Sequence, residues 1–139
     1  MIYLLDLNYT LVANSHEKHS PFAEQIRQET YRAWLVALLR TQYVILMTAR
    51  PVKYRELTID SIQEKTGWTP TESYFNAYNL PPPQAKERML LEFVLPPQGR
   101  PREFFAIESN PATQAMYARY GIASKRINDN QAPWKKLPA

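Results

Sequence analysis

Short apolar runs that end at a polar or charged residue alternate with helix-like segments along this chain. The first run, Ile2–Leu5, ends at Asp6, and a later one, Phe104–Ile107, ends at Glu108. Continuous apolar runs of this kind are typical of strands that are covered on both faces. Strands that alternate with helices predict a mostly parallel sheet between two helical layers, which is a three-layer α/β/α sandwich.

Helix signals fill the first half of the chain between the strands. Ser20 and Pro21 predict a helix that runs to about Arg40. Its apolar positions predict a buried face made of Phe22, Ile26, Ala33, Trp34, Ala37 and Leu38. A strand at Tyr43–Met47 follows, and a helix over residues 52–65 is predicted to end before Gly67.

The second half continues the alternation. A short strand at Ser73–Ala77 precedes a helix that carries Lys86, and Asn110 is predicted to cap the helix that follows the strand ending at Glu108. Lys125–Ile127 is predicted to be an edge strand. We expect residues 1–127 to form one domain and residues 128–139 to form a polar tail that lies on its surface.

Composition excludes several classes of protein. The 139 residues suffice for one domain with a core but not for two. No apolar run approaches the roughly 20 residues that span a bilayer, and the N-terminus is not typical of a signal peptide, so we expect no membrane association and a cytoplasmic protein. The chain has no cysteine, which excludes disulfides and cysteine zinc sites. A net charge of +4 favours anionic partners without identifying nucleic acid as one of them.

Polar side chains follow the predicted strands, at the edge where open α/β sheets bind their ligands. They are Asp6, Asn8, Thr48, Arg50, Glu108, Ser109 and Asn110, with Lys86 near the start of a helix. Carboxylates suit a hard cation such as Mg²⁺, whereas cationic and hydroxyl groups suit phosphate oxygens. The sequence therefore predicts a site that binds Mg²⁺ and a phosphorylated substrate.

Four motifs in this order resemble those of the haloacid dehalogenase (HAD) superfamily. The segment Asp6–Thr10 resembles the first motif, D-x-D-x-T/V, and the strand that ends at Thr48 resembles the second. Lys86 resembles the lysine of the third motif, and Glu108 resembles the acid of the fourth. The resemblance covers roughly residues 1–127 and implies a HAD-like, Rossmann-like fold.

The resemblance also implies a role for each residue. Asp6 would be the nucleophile that forms an aspartyl-phosphate, while Thr48 and Lys86 would hold the phosphoryl oxygens. Asp6, the main-chain carbonyl of Asn8 and Glu108 would bind Mg²⁺. We expect further substrate contacts from Thr10, which also steadies the loop, from Arg50, and from His16 in the loop that follows.

Two features depart from the HAD pattern. Phosphatases of this superfamily usually carry Asp at the position of Asn8, and a carboxamide has no proton to exchange near neutral pH. Acid–base help is worth about 10²–10⁴ in rate, so we expect weak activity that rises at least about tenfold in Asn8→Asp. The fourth motif reads Glu108-Ser109, where paired acids are frequent. The alternative is a phosphate- or partner-binding module without turnover.

The stretches between the motifs leave no room for a large cap domain, so an open cleft is expected. Open clefts suit large substrates such as a polynucleotide end or a phosphoprotein. The layout around Met47–Arg50 and Met116–Gly121 resembles the 3′-phosphatase domain of polynucleotide kinase-phosphatases, whereas Asp6–Leu11 resembles the first motif of capless protein phosphatases. The basic charge and Arg50 favour a nucleotide or polynucleotide phosphate over a phosphoprotein.

Overall fold

One sheet of five parallel strands forms the centre of the molecule, as described by a computed structural model for residues 1–101 and 103–138. The strands are β1 Ile2–Leu5, β2 Tyr43–Pro51, β3 Glu72–Asn76, β4 Phe104–Glu108 and β5 Ala123–Arg126. Their order is β3-β2-β1-β4-β5, so β1 is central and the chain reverses its direction across the sheet after β3.

The central strand brings the ends of its two neighbours together. All four residues of β1 are buried, in agreement with its continuous apolar sequence. Leu5, the last residue of β1, is paired with Leu46 of β2 and with Ile107 of β4. The residues after β1 and β4 therefore emerge side by side at the carboxyl edge, at the switch point where α/β sheets bind ligands.

Helices cover both faces of this sheet. They are α1 Phe22–Gln28, α2 Ala33–Leu39, α3 Arg55–Thr66, α4 Pro82–Met89 and α5 Pro111–Arg119. Side chains of α2 and α3 pack against Tyr3 and Leu5 on one face, and those of α4 and α5 pack against Ile2 and Leu4 on the other. The predicted three-layer α/β/α sandwich is confirmed, and no cap domain occurs within the described residues. Within the same residues, no helix has the length and apolarity to span a membrane.

The long helix predicted up to Arg40 is wrong, because α1 and α2 are separate helices. The backbone becomes extended at Glu29, with φ −65° and ψ 139°. Tyr31 then forms an antiparallel bridge with Val12. No side chain caps α1, so the role expected for Ser20 is also wrong. Because the helix is interrupted, its buried positions shift. The buried residues of α2 are Leu35, Val36 and Leu39 instead of the predicted Ala33, Trp34, Ala37 and Leu38.

The second strand is longer than predicted. It continues four residues past Met47 and ends at Pro51, so Thr48 and Arg50 lie within β2 instead of in a loop after it. Two other signals at helix ends are accurate. Gly67 adopts the left-handed conformation with φ 70°, and the Asn110 side chain accepts a 2.9 Å hydrogen bond from the main-chain N–H of Ala112.

The last described residues contact the first face of the sheet. The ring of Trp134 packs against that of Trp34 with 5.3 Å between centroids. The hydroxyl of Tyr3 donates a 3.0 Å hydrogen bond to the carbonyl of Pro138. These contacts attach the C-terminal segment to the layer formed by α2.

Candidate active site

Hydrogen bonds fix both carboxylate oxygens of Asp6 at the end of β1. The ammonium of Lys86 donates to Oδ1 at 2.7 Å. The hydroxyls of Thr10 and Ser109 donate to Oδ2 at 2.7 and 3.0 Å. Asp6 is 8% exposed and lies on a cavity of about 250 Å³ that Lys86 and Ser109 also line. Its carboxylate is therefore held in one orientation but still faces the cavity.

Lys86 joins the two carboxylates of the site. It comes from the second turn of α4, is buried, and also donates to Oε2 of Glu108 at 2.8 Å. Burial alone would lower the pKa of Lys86, but the charges of Asp6 and Glu108 overcome it and raise that pKa above its ordinary value. The lysine is therefore held in its charged form.

Glu108 faces the lysine and the following turn. Its Oε1 accepts from the main-chain N–H groups of Ser109 and Asn110, at 3.1 and 3.3 Å. Burial and the charge of Asp6 raise the pKa of Glu108 to about 7, although Lys86 opposes this shift. Two carboxylates share one ammonium, so the second carboxylate ionises less readily than an isolated one.

A tight turn after β1 presents Asn8 to the cavity. Asn8 is extended, with ψ 133°, and Tyr9 takes the left-handed conformation with φ 63°. Within this turn the N–H of Val12 donates to the carbonyl of Leu7 at 3.0 Å. The turn also places the main-chain carbonyl of Asn8 3.3 Å from the hydroxyl of Ser109.

Arg50 contacts the side chain of Asn8 and is only 3% exposed. Its guanidinium donates to both carboxylate oxygens of Glu29, to the hydroxyl of Thr58 at 3.0 Å, and to Oδ1 of Asn8 at 2.8 Å. Both terminal nitrogens are thus engaged by protein atoms. The residue was expected to contact the substrate, and the structure shows it in contact with Asn8 and on a cavity of about 210 Å³ that Asn8 also lines.

Neither Thr48 nor His16 is among the side chains that form hydrogen bonds with the Asp6 carboxylate. The Thr48 hydroxyl is buried and accepts the main-chain N–H of Arg50 at 3.0 Å, while the neighbouring Ala49 lines the cavity. His16 is exposed in the loop after the turn. His19, from the same loop, lines a second cavity of about 210 Å³ together with Asn8.

The sequence assigned no role to two contributors. Ser109 was expected at the carboxyl edge because it directly follows β4, and this place at the switch point is the signal that identifies it. Glu29 had no such signal, because it lies within a segment that was predicted to be helical. Its role depends on Arg50, which is 21 residues away.

The oxygen atoms beside Asp6 are of the kind that Mg²⁺ prefers. The hydroxyl of Ser109 lies 3.0 Å from Asp6 Oδ2 and 3.3 Å from the carbonyl oxygen of Asn8. No group of three or more His, Asp or Glu side chains suited to a metal occurs in residues 1–101 and 103–138. Magnesium in proteins is often held by only one or two carboxylates, with water and substrate phosphate as its other ligands. The donor set therefore fits Mg²⁺ with few protein ligands.

Comparisons with known proteins relate the chain to solved structures of one fold. Neither a scan against protein-family models nor a search of curated proteins found a match. A chain of a Pnkp1/Rnl/Hen1 complex matches with a TM-score of 0.67 and 19% identity, over 91% of this chain and 45% of that chain. A chain of the Pnkp1/Rnl/Hen1 RNA repair complex matches with a TM-score of 0.67 and 18% identity, over 91% and 42%.

The third structure is the HAD domain of the effector protein Lem4 from Legionella pneumophila. It matches with a TM-score of 0.59 and 11% identity, over 96% of this chain and 87% of that domain. The chain spans less than half of the two chains from the Pnkp1/Rnl/Hen1 complexes and most of the Lem4 domain. These similarities establish the fold, and the HAD-like fold that the motifs imply is confirmed.

Proposed function

We propose that this chain is a Mg²⁺-dependent phosphomonoester hydrolase that acts through an aspartyl-phosphate on Asp6, with a nucleotide or polynucleotide end as its substrate. The observation that carries the proposal is the contact between Asp6 and the buried Lys86, at the floor of a cavity at the switch point. A carboxylate and a charged ammonium at such a place suit attack on a phosphoryl group.

The reaction would have two steps. An oxygen of Asp6 attacks phosphorus, the bond from phosphorus to the leaving oxygen breaks, and that oxygen keeps the electron pair and takes a proton from water. Water then attacks phosphorus of the aspartyl-phosphate, which releases inorganic phosphate and regenerates the Asp6 carboxylate. Lys86 offsets negative charge on the phosphoryl oxygens, and Thr10 and Ser109 hold the carboxylate in place.

Mg²⁺, when bound, would neutralise charge on the phosphate. Asp6 and the carbonyl of Asn8 would hold it, with Glu108 as the third predicted ligand and the Ser109 hydroxyl adjacent to the first two. The Asn8 side chain would contribute a hydrogen bond rather than a proton, because its amide does not titrate near neutral pH. We therefore expect slow turnover.

Three features support a nucleic acid end over other phosphates. The chain has a net charge of +4, and the described residues contain no cap domain over the cavity, so a polymer can enter. Two of the structural neighbours are chains of Pnkp1/Rnl/Hen1 complexes, and one of these is described as an RNA repair complex.

We place this activity in the cytoplasm, in keeping with the absence of cysteine.

A panel of phosphomonoesters tests the proposal. Phosphate release is measured with and without Mg²⁺ from a 3′-phosphorylated oligonucleotide, a nucleoside monophosphate, a phosphopeptide and a generic aryl phosphate. We expect Mg²⁺-dependent release that is fastest with the oligonucleotide and is abolished in Asp6→Asn. The exposed Asp60→Asn serves as the matched control and should retain activity. Release by Asp6→Asn at the wild-type rate would refute the covalent mechanism, and preference for the phosphopeptide would favour a protein phosphatase.

A second candidate is a phosphate- or partner-binding module without turnover. The observation in its favour is that the Asn8 oxygen is occupied by Arg50, so the residue at the usual acid–base position is an amide with a structural partner. Binding of inorganic phosphate or vanadate by the wild-type chain, with no release from any member of the panel, would favour this module.

A further inference from the structure

We propose that Tyr9, Lys18 and His19 form a subsite for the terminal nucleotide of single-stranded nucleic acid, next to the cavity at Asp6. The inference deepens the proposed function, since it identifies which part of the substrate lies beyond the phosphoryl group. Tyr9 lines the cavity at Asp6, and Lys18 and His19 line a second cavity that shares Asn8 and Tyr9 with the first.

Tyr9 occupies a central position at the carboxyl edge. Its side chain borders the Asp6 cavity, the cavity of about 210 Å³ that contains His19, and a groove of about 410 Å³ that passes Arg126. Tyr9 is 43% exposed although it borders the cavity at Asp6. An exposed ring at the junction of three concave surfaces is available to stack against a planar group.

The backbone of Tyr9 is held in a conformation that few non-glycine residues adopt. Its φ is 63°, and its N–H donates a 2.8 Å hydrogen bond to the hydroxyl of the buried Ser15. Strained conformations persist only where the surrounding structure maintains them, and they occur often at ligand sites. The contact with Ser15 therefore holds the backbone from which the exposed ring projects.

The loop that carries Lys18 and His19 is also held in place. The side chain of the buried Gln25 accepts the N–H of His19 at 2.6 Å and donates to the carbonyl of Glu17 at 2.9 Å. The ammonium of Lys18 donates to the Tyr9 hydroxyl at 3.0 Å and lies 5.1 Å from the ring centroid. A cation is thus positioned at the edge of the exposed ring before any ligand arrives.

The charges around the ring leave a positive surface. The carboxylate of Glu29, which lines the same cavity, is paired with Arg50. On the other side of the ring, Asp129 is paired with Arg32 at 2.9 Å. Lys18 and Arg126 are thereby left facing the two cavities beside Tyr9. The surface attracts anions on both sides of the ring.

An aromatic ring with cations beside it suits a nucleotide, which presents a planar base and an anionic backbone phosphate a few ångströms apart. Stacking of bases on exposed aromatic side chains within a positive groove is the general mode of single-strand recognition. A phosphopeptide would place its one phosphate at Asp6 and need not bring an anion to Lys18. The arrangement therefore favours single-stranded nucleic acid.

Binding of a fluorescein-labelled, 3′-phosphorylated single-stranded oligonucleotide tests the subsite. Anisotropy is measured on the full chain carrying Asp6→Asn, so that the ligand is not consumed. We expect Lys18→Ala to weaken binding about tenfold and to reduce the slope of log affinity against log salt by about 0.7. Tyr9→Gly, which removes the ring where the φ suits glycine, should weaken binding about tenfold, whereas Tyr9→Phe should retain the stacking.

Lys136→Ala removes an exposed lysine of the C-terminal segment and is the matched control, with binding expected to stay at the reference value. Equal affinity in Lys18→Ala, Tyr9→Gly and the control would overturn the subsite, and so would an equal loss of affinity for a phosphopeptide. If the wild-type chain releases no phosphate from any substrate but Lys18→Ala still loses oligonucleotide affinity, the phosphatase proposal fails and the subsite stands. If phosphate is released and Lys18→Ala binds normally, only the subsite fails.

Discussion

Arg50 donates a 2.8 Å hydrogen bond to the side-chain oxygen of Asn8, while Glu29 accepts two hydrogen bonds from the same guanidinium. The ion pair is almost completely buried, with both side chains 1% exposed. The side chain of Asn8 is therefore oriented by Arg50, and the charge of Arg50 is already neutralised by Glu29. A carboxylate at position 8 would add a further negative charge to a region that already contains Asp6 and Glu29.

Loss of Glu29 should leave the charge of Arg50 buried without a counterion. We expect Glu29→Ala to lower the free energy of unfolding by about 3–5 kcal/mol, as measured by urea titration followed through tryptophan fluorescence. The matched control is Glu24→Ala in the preceding helix, where the pair with Arg27 is exposed and should matter little. An equal decrease in the free energy of unfolding of the two variants would mean that the buried pair stabilises the fold no more than the exposed pair does.

Asn8→Asp should restore acid–base help to the leaving group. We expect the turnover of an alkyl phosphate to rise at least about tenfold, because an alkoxide leaves poorly without a proton. An aryl phosphate has a leaving group that needs little protonation and should gain far less. Initial rates with the two substrates at saturating Mg²⁺ measure the contrast. An equal gain with both substrates would indicate that position 8 acts on a step other than departure of the leaving group.

The fold could be predicted because it depends on local sequence patterns. Continuous apolar runs identified β1 and β4, and Gly67 and Asn110 marked helix ends through backbone chemistry that depends on few neighbours. The strand ends also located Asp6, whose contact with Lys86 joins residues 80 positions apart. That contact follows from the parallel topology together with the family resemblance, and not from either observation alone.

The parts that could not be predicted depend on tertiary contacts of single residues. The break between α1 and α2 accompanies the burial of Glu29 against Arg50, and helical periodicity contains no information about such a partner. For the same reason the sequence did not show that the guanidinium of Arg50 is bound by Glu29 and Asn8. A charged residue after an apolar run indicates a site, but it does not reveal which charges neutralise each other.

Glu72 should make the stability of the chain sensitive to acid. Burial alone would raise its pKa, but hydrogen bonds from Tyr43, Tyr74 and Arg100 overcome this and lower that pKa below the ordinary value of 4.5. A carboxyl whose pKa is depressed by folding stabilises the protein above the pKa of the unfolded chain. This contribution is lost as the pH falls through the pKa of the folded state.

We therefore expect Glu72→Gln to be less stable than the wild type at neutral pH, with the difference narrowing below about pH 4.5. Urea unfolding at several pH values measures the difference. The exposed Glu56→Gln in α3 is the control and should follow the wild type throughout. A difference that stays constant with pH would show that the effect of the substitution is unrelated to the ionisation of Glu72.

Removal of the lysine between the two buried carboxylates should separate its structural contribution from its catalytic one. We expect Lys86→Met to lower the free energy of unfolding by about 3–5 kcal/mol, because Asp6 and Glu108 then face each other without a counterion. Adding Glu108→Gln should recover part of the stability and none of the phosphatase activity. Recovery of activity in the double variant would exclude a catalytic role for Lys86.

Ser109 lies at the position where a second carboxylate would strengthen the predicted metal site. Its hydroxyl is 3.0 Å from Asp6 Oδ2 and 3.3 Å from the carbonyl oxygen of Asn8. We expect Ser109→Asp to bind Mg²⁺ about tenfold more tightly in calorimetric titrations, since added carboxylate ligands raise the affinity for hard cations. Ser20→Asp introduces the same charge in the exposed loop and controls for long-range attraction.

Glu108→Gln should weaken Mg²⁺ binding if Glu108 is a ligand. An unchanged affinity in that variant, together with tighter binding in Ser109→Asp, would assign the third protein ligand to position 109, because the Glu108 oxygens would then be committed to Lys86 and the following main-chain N–H groups.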